Sequence, residues 1–179
     1  KLNSKIDYPY LLLLISGGHS QYLSVEGLGK YKRLGTTIDD AVGEAFDKTA
    51  KLLGIEFPGG PQIEILAKKG NPERFNLPKP ILNKGGCNLS FAGLKTAVLK
   101  ISKNIKNEQD KFDLAASFQK TILDILLKKT TIAFKEYEKV NLRKNKIFVV
   151  AGGVAANEKI RQMLIKLCDE NGYKPVFPP

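Results

Sequence analysis

Tyr10-Leu-Leu-Leu-Leu-Ile-Ser-Gly-Gly18 and Lys146-Ile-Phe-Val-Val-Ala-Gly-Gly153 decide the fold, because each is an apolar run closed by a glycine pair. Runs this short, built of Leu, Ile and Val and stopped by a tight turn, predict strands buried on both faces of a sheet. Outward from the first, Gln21-Tyr-Leu-Ser-Val25 and Tyr31-Lys-Arg-Leu34 are β-prone and separated by Gly27-Leu-Gly29, which predicts an antiparallel meander. Outward from the second, a helix over 157–167 that stops near Gly172 forms a βα unit, and 173–179 start one more strand. Strands and helices in this order give an α/β fold.

Between the two runs lie further helices. Asp39 or Asp40 can cap one in which Ala41, Ala45, Lys48, Thr49, Leu52 and Leu53 recur until Gly54 stops it. Pro58-Gly59-Gly60-Pro61 then breaks the chain ahead of a short helix over 62–69. Residues 70–90 are rich in proline and glycine with few periodic apolar positions, and read as an excursion over the surface and a subdomain boundary. From Asp113 onward Leu114, Phe118, Ile122, Ile125 and Leu126 recur at helical spacing, predicting a long amphipathic helix to about Tyr137 whose stripe is core. There is no internal repeat of fixed period.

A chain of 179 residues with 42% hydrophobic composition is expected to fold as one domain around a real core. The formal charge of +11 draws polyanions without specifying one. Lysine and arginine pairs such as Lys128-Lys129 and Arg143-Lys144 read as ordinary solvated faces. No apolar run approaches the roughly 18 residues of a membrane span, and Leu11 to Ile15 is too short for a signal-peptide core, so a soluble protein is expected. Cys87 and Cys168 lack CxxC spacing, which argues against a disulfide framework or a zinc site and fits a reducing cytoplasm.

The residues that carry chemistry start with the two glycine junctions. They put backbone N–H groups at strand ends with no side chain in the way, and the helix after the second adds its dipole, a setting for an anion. Asp40, Glu44 and Asp47 recur at spacings of four and three, so they share a helix face and call for a cation or hydroxyls opposite, from a ribose, a metal-nucleotide or lysines of the protein; a solvated acidic face is the plain alternative. His19 is the only histidine, which rules out a His-His metal pair within the chain. Cys87 could pair with His19 as a nucleophile, but an inert buried thiol is the simpler reading.

Taken in order, Leu14-Ile-Ser-Gly-Gly-His-Ser20, Ile38-Asp-Asp-Ala-Val-Gly-Glu-Ala-Phe-Asp-Lys-Thr-Ala50, Phe57-Pro-Gly-Gly-Pro61, Asn88-Leu-Ser-Phe-Ala-Gly-Leu-Lys-Thr96 and Ala151-Gly-Gly-Val-Ala-Ala-Asn157 resemble the TsaD family of tRNA threonylcarbamoyladenosine transferases. The resemblance implies the actin and heat-shock-70 ATPase superfold, whose ribonuclease-H-like lobes clasp a nucleotide, with residues 1–179 forming a single partial lobe and a helical insertion around 62–145. It implies transfer of a threonylcarbamoyl group from threonylcarbamoyl-AMP to N6 of adenosine 37 in tRNAs reading codons that begin with adenine. Substrate-binding positions carried over are Leu14, Ile15, Ser16, Gly17, Gly18, Asp47, Gly60 and Asn157, with Asp47 on a ribose hydroxyl, Asn157 near the adenosine and Glu64 a weaker candidate. The stretch 90–95 is a family marker without a role, and no catalytic residue is assigned.

The same resemblance implies one iron or zinc ion held by an HxxxH helix and an aspartate of a TDNGAM-like segment. Both are expected before Lys1 and after Pro179, so the chain reads as cut at both ends, without metal ligands and inactive alone. Expected ligands and partners are threonylcarbamoyl-AMP or an ATP-type nucleotide, tRNA, and the TsaB and TsaE proteins, with no membrane and with a homodimer as an option for an exposed inter-lobe face. Two rival readings are a sialoglycoprotein-type metallopeptidase and a non-catalytic partner-binding homologue.

Overall fold

The computed structural model of the chain describes residues 6–141 and 145–178. Arg143-Lys144, read as part of a solvated face, lie outside the described residues. The elements run β1 (Tyr10–Ile15), β2 (Ser20–Gly27), β3 (Lys30–Thr36), α1 (Val42–Leu52), α2 (Gly59–Ala67), α3 (Ala92–Ser102), α4 (Glu108–Val140), β4 (Ile147–Ala151), a 3-10 turn (Gly153–Ala156), α5 (Glu158–Asn171) and β5 (Lys174–Val176).

Five strands make one mixed sheet in the order β3-β2-β1-β4-β5. The expected meander pairs β1 with β2 and β2 with β3 antiparallel, while β1 and β4 run parallel in the register Leu13 to Val150 and Leu14 to Ala151. The two apolar runs are therefore neighbours at the centre of the sheet, and their glycine junctions emerge side by side at its carboxyl edge. Ligands of open α/β sheets bind at such edges. β1 is less enclosed than a strand buried on both faces: Leu11, Leu13 and Ile15 are fully buried, and the alternate residues only partly so. The side chains of Leu12 and Leu14 face a layer that does not fully close over them.

The other face is closed by α4, which starts earlier and ends later than its apolar stripe predicts. Asn107 caps it by accepting the Asp110 amide through its side chain at 2.8 Å, an Asn-x-x-Asp start signal legible in the sequence. Phe118 of α4 meets Phe46 of α1 edge-on at 5.1 Å, and Phe134 meets Phe148 of β4 edge-on at 5.2 Å. Tyr22 of β2 and Thr130 of α4 share a hydroxyl hydrogen bond of 2.8 Å. Each buried aromatic contributes roughly 1.5–3 kcal/mol by leaving water, so this helix is the main clamp on the sheet.

Two expectations about helix starts are corrected. α2 begins at Gly59 rather than 62, because the Asp47 side chain accepts the Gly59 amide at 3.0 Å and so caps the helix from outside. Neither Asp39 nor Asp40 caps α1, whose N-cap is Ala41 without a side-chain bond. Asp39 instead reaches 52 residues on to cap α3: it accepts the Phe91 amide at 2.7 Å, the Ala92 amide at 3.2 Å and the Ser90 hydroxyl. Burial pushes the Asp39 carboxyl up, but these donors outweigh it and hold it below the usual carboxylate range.

Lys129, grouped with Lys128 as a solvated pair, is fully buried while Lys128 is exposed. Its ammonium donates to the carbonyls of Lys84 at 2.9 Å and Gly86 at 3.2 Å, and burial pushes its pKa down. The excursion over 70–90 is accordingly pinned rather than loose. Arg74 bridges Asp110 at 2.5 Å and Asp113 at 2.7 Å, Asp113 also accepts the Asn71 amide at 2.7 Å, and Gly70 sits so close under the Phe112 carbonyl that no Cβ fits.

Candidate functional site

The site forms where β1 and β4 end. After Ile15 the chain turns through Ser16, whose hydroxyl accepts the amides of Gly18 at 3.4 Å and His19 at 3.1 Å while its own amide donates to the His19 carbonyl at 2.8 Å. Serine thus shapes the loop, and the Gly17 amide is in none of these bonds. After Ala151, Gly152 takes φ of +101°, a backbone that L side chains rarely adopt, and a Cβ there would strike the Ile15 carbonyl. Gly43 of α1 likewise approaches the first loop so closely that its Cβ would lie 2.7 Å from the Ser16 carbonyl oxygen and 2.8 Å from the Gly17 amide nitrogen. Two loops and one helix start are packed backbone to backbone.

Beside them opens a cleft of about 570 Å³, within the usual range for small-molecule sites. Gly17, Asp47, Gly60 and Asn157, from four separate segments, line it together with Glu64. The other carried-over positions fall short of the lining: Ile15 is fully buried in the core, Leu14 is half-buried, Ser16 supports the loop, and Gly18 is exposed next to Gly17. Beyond these, the wall is largely apolar, with Phe46, Phe57, Pro58, Pro61, Val154 and Ala156. None of these six was singled out as a site residue. Phe57, Pro58 and Pro61 are legible as part of a family motif, and the two prolines as a chain break, but their convergence on the cleft is a tertiary fact.

The polar side chains of the cleft are already oriented. Asp47 uses Oδ1 for the Gly59 amide. Asn157 is 7% exposed; its Oδ1 accepts the Ile160 amide at 3.0 Å, capping α5, and its Nδ2 donates to Gln119 Oε1 at 3.1 Å. Glu64 accepts the Glu158 amide at 2.9 Å. Two side chains from different elements thus hold the start of α5, which fixes the second glycine loop.

The acidic face is answered from within the chain. Lys48 bonds Asp40 at 2.7 Å and Glu44 at 2.7 Å, and its hydrogen bond holds the Glu44 carboxyl below its ordinary range, so those two carboxylates require no outside cation. Asp47 lies apart from that cluster, on the cleft. Cys87 is buried, with its thiol pushed up to about 11 by burial, as an inert thiol should be. Among the described residues, no three His, Cys, Asp or Glu side chains come together as ligands for a metal ion, and no helix is long and apolar enough to cross a membrane.

Glycine loops edging a cleft at the carboxyl ends of parallel strands place the chain among the α/β proteins, whose ligands bind at such edges. The chain belongs to the family described as TsaD, tRNA N6-adenosine threonylcarbamoyltransferase, which it matches over residues 1–179. It is 74% identical over 180 residues to the protein named tRNA N6-adenosine threonylcarbamoyltransferase of Pelagibacter ubique (strain HTCC1062), a match covering 100% of this chain and 50% of that relative. The proteins of the same name from Rickettsia rickettsii (strain Sheila Smith) and Rickettsia bellii (strain OSU 85-389) are 53% and 52% identical, each match covering 100% of this chain and 53% of the relative. The chain spans about half the length of the curated relatives it matches.

Proposed function

We propose that the protein containing this chain transfers a threonylcarbamoyl group from threonylcarbamoyl-AMP to N6 of adenosine 37 in tRNAs that read codons beginning with adenine. The observation that carries this reading is the meeting of Gly17, Asp47, Gly60 and Asn157 on one cleft in a chain of this family. In the transfer, the N6 amine forms a C–N bond to the carbamoyl carbon, the bond from that carbon to the phosphate oxygen breaks, and AMP leaves as the amine gives up a proton.

The residues divide that work by position. The Gly17 and Gly153 amides face the acyl phosphate, with Leu14, Ile15, Ser16 and Gly18 shaping the loop. The Asp47 oxygen not used by Gly59 accepts a ribose hydroxyl, Gly60 lets the ligand approach the backbone, and Asn157 holds the wall nearest the adenosine. The iron or zinc ion of the family fits no set of His, Cys, Asp and Glu side chains among the described residues. Residues 1–179 make most of one lobe of an actin and heat-shock-70-type clasp, with the helical insertion over 62–145. The net charge of +11 suits the tRNA backbone, TsaB and TsaE are the protein partners, and the cytoplasm is the compartment.

The test is the nucleoside content of tRNA from cells whose only copy of the full protein carries Asp47→Ala. Threonylcarbamoyladenosine is expected to fall sharply, with restoration by the unmodified protein. Full modification in cells lacking the protein altogether would overturn the reading, and cleavage of a glycoprotein without change in tRNA nucleosides would favour the peptidase rival.

A further inference from the structure

Phe57 lines the cleft and yet is 84% exposed, the most exposed aromatic ring of the described residues. Large apolar side chains are left to solvent singly without consequence, but this one stands at a position already fixed by a ligand-facing group. The Asp47 carboxylate accepts the Gly59 amide at 3.0 Å, which ties the segment bearing Phe57 and Pro58 to the polar side chain of the cleft. The anion-accepting loops, with Gly17 and Gly153, form a different part of the same wall. A nucleotide whose phosphate meets those loops and whose ribose meets Asp47 must send its base away from the glycines. On the side of α2 that base finds Phe57 and Pro61, flat and apolar, with Glu64 as the polar side chain of that helix on the cleft.

We propose that Phe57 is a base-stacking residue, its ring forming one face of the slot for the adenine of the adenylate ligand. This rests on the adenylate reading of the cleft and goes beyond it by assigning the base a platform. Stacking of this kind is tolerant of base identity, so Phe57 sets affinity, while discrimination of adenine falls to the polar edge of the slot.

Calorimetric titration of the full protein with AMP, and separately with pyrophosphate, tests it. Phe57→Ala is expected to weaken AMP binding about tenfold, in line with the loss of one base–aromatic stack, and to leave pyrophosphate binding unchanged. Phe57→Tyr is expected to keep AMP affinity. Phe57→Trp places a tryptophan on the cleft of a chain that has none, and AMP is expected to quench the emission this variant gains over the unmodified protein where pyrophosphate does not. Unchanged AMP affinity in Phe57→Ala overturns the proposal, as does equal weakening of AMP and pyrophosphate, which would mark a collapsed loop. Loss of tRNA binding with AMP affinity intact overturns it in favour of an RNA base on the same ring. Absence of AMP binding by the unmodified protein is a separate failure, of the adenylate reading itself.

Discussion

The two glycine junctions look alike in sequence and differ in what the glycines are for. In the second, Gly152 is demanded by the fold, since its φ is positive and the carbonyl of Ile15 occupies the space of a side chain. In the first, a Cβ on Gly17 or Gly18 would meet nothing within 4 Å. Nothing among the described residues requires glycine at those two positions. The lesson is that one motif can hold a glycine that the fold demands and one that it leaves open, and only the surroundings separate them.

The contrast is broken most forcefully at Gly152. Gly152→Ala is expected to cost about 3 kcal/mol or more, because a strained backbone and a backbone clash cannot relax together; urea unfolding reads it, and a loss under ~1 kcal/mol would mean the two loops are less tightly locked than described. Next comes Asp39→Ala, which removes the remote cap of α3 and is expected to cost about 1–2 kcal/mol, with hydrogen exchange accelerated in α3 rather than in α1. Gly17→Ala is expected to change unfolding free energy by less than ~0.5 kcal/mol while weakening AMP about tenfold (~1.4 kcal/mol), because the added Cβ, which meets no protein atom within 4 Å, stands in the way of a phosphate approaching the loop N–H groups. Equal loss of stability at Gly17 and Gly152 would erase the distinction.

A smaller and slower difference is expected with pH. The second junction leads into α5, whose buried Cys168 has its thiol pushed from 9.0 up to about 12 by burial. Because the folded pKa is raised, the unfolded chain sheds this proton first. Stability is then intact below pH 9 and falls as pH rises through about 12. Cys168→Ala is expected to flatten that alkaline decline in melting temperature, and an unchanged slope would place the titration elsewhere.

Much of this was legible in the sequence, for reasons that are themselves local. β1, β4 and the stripe of α4 are apolar patterns whose period survives without neighbours, and Gly172 stops α5 in the left-handed conformation that such a C-cap favours. The failures share a cause, which is pairing across long sequence distance. Asp39 looks like the cap of the helix that follows it, yet serves one 52 residues away. Asp47 caps α2 from α1, and Lys129 disappears into the core because two loop carbonyls receive it. α3 carries Leu94, Val98 and Ile101 at helical spacing but has no start signal of its own, because its cap is supplied by Asp39. At the cleft, glycines and acids stood out by type, whereas the apolar wall did not, since Phe, Pro and Val in a pocket look like Phe, Pro and Val in any core.

The buried ammonium of Lys129 makes the protein a reporter on itself. Amine-reactive labels applied to the native chain will modify Lys128 and pass over its neighbour, whose nitrogen has no route to reagent. Labelling at Lys129 then counts only the molecules that have opened, so one peptide in a mass spectrum, carrying a shielded lysine beside an accessible one, provides both the signal and its internal standard.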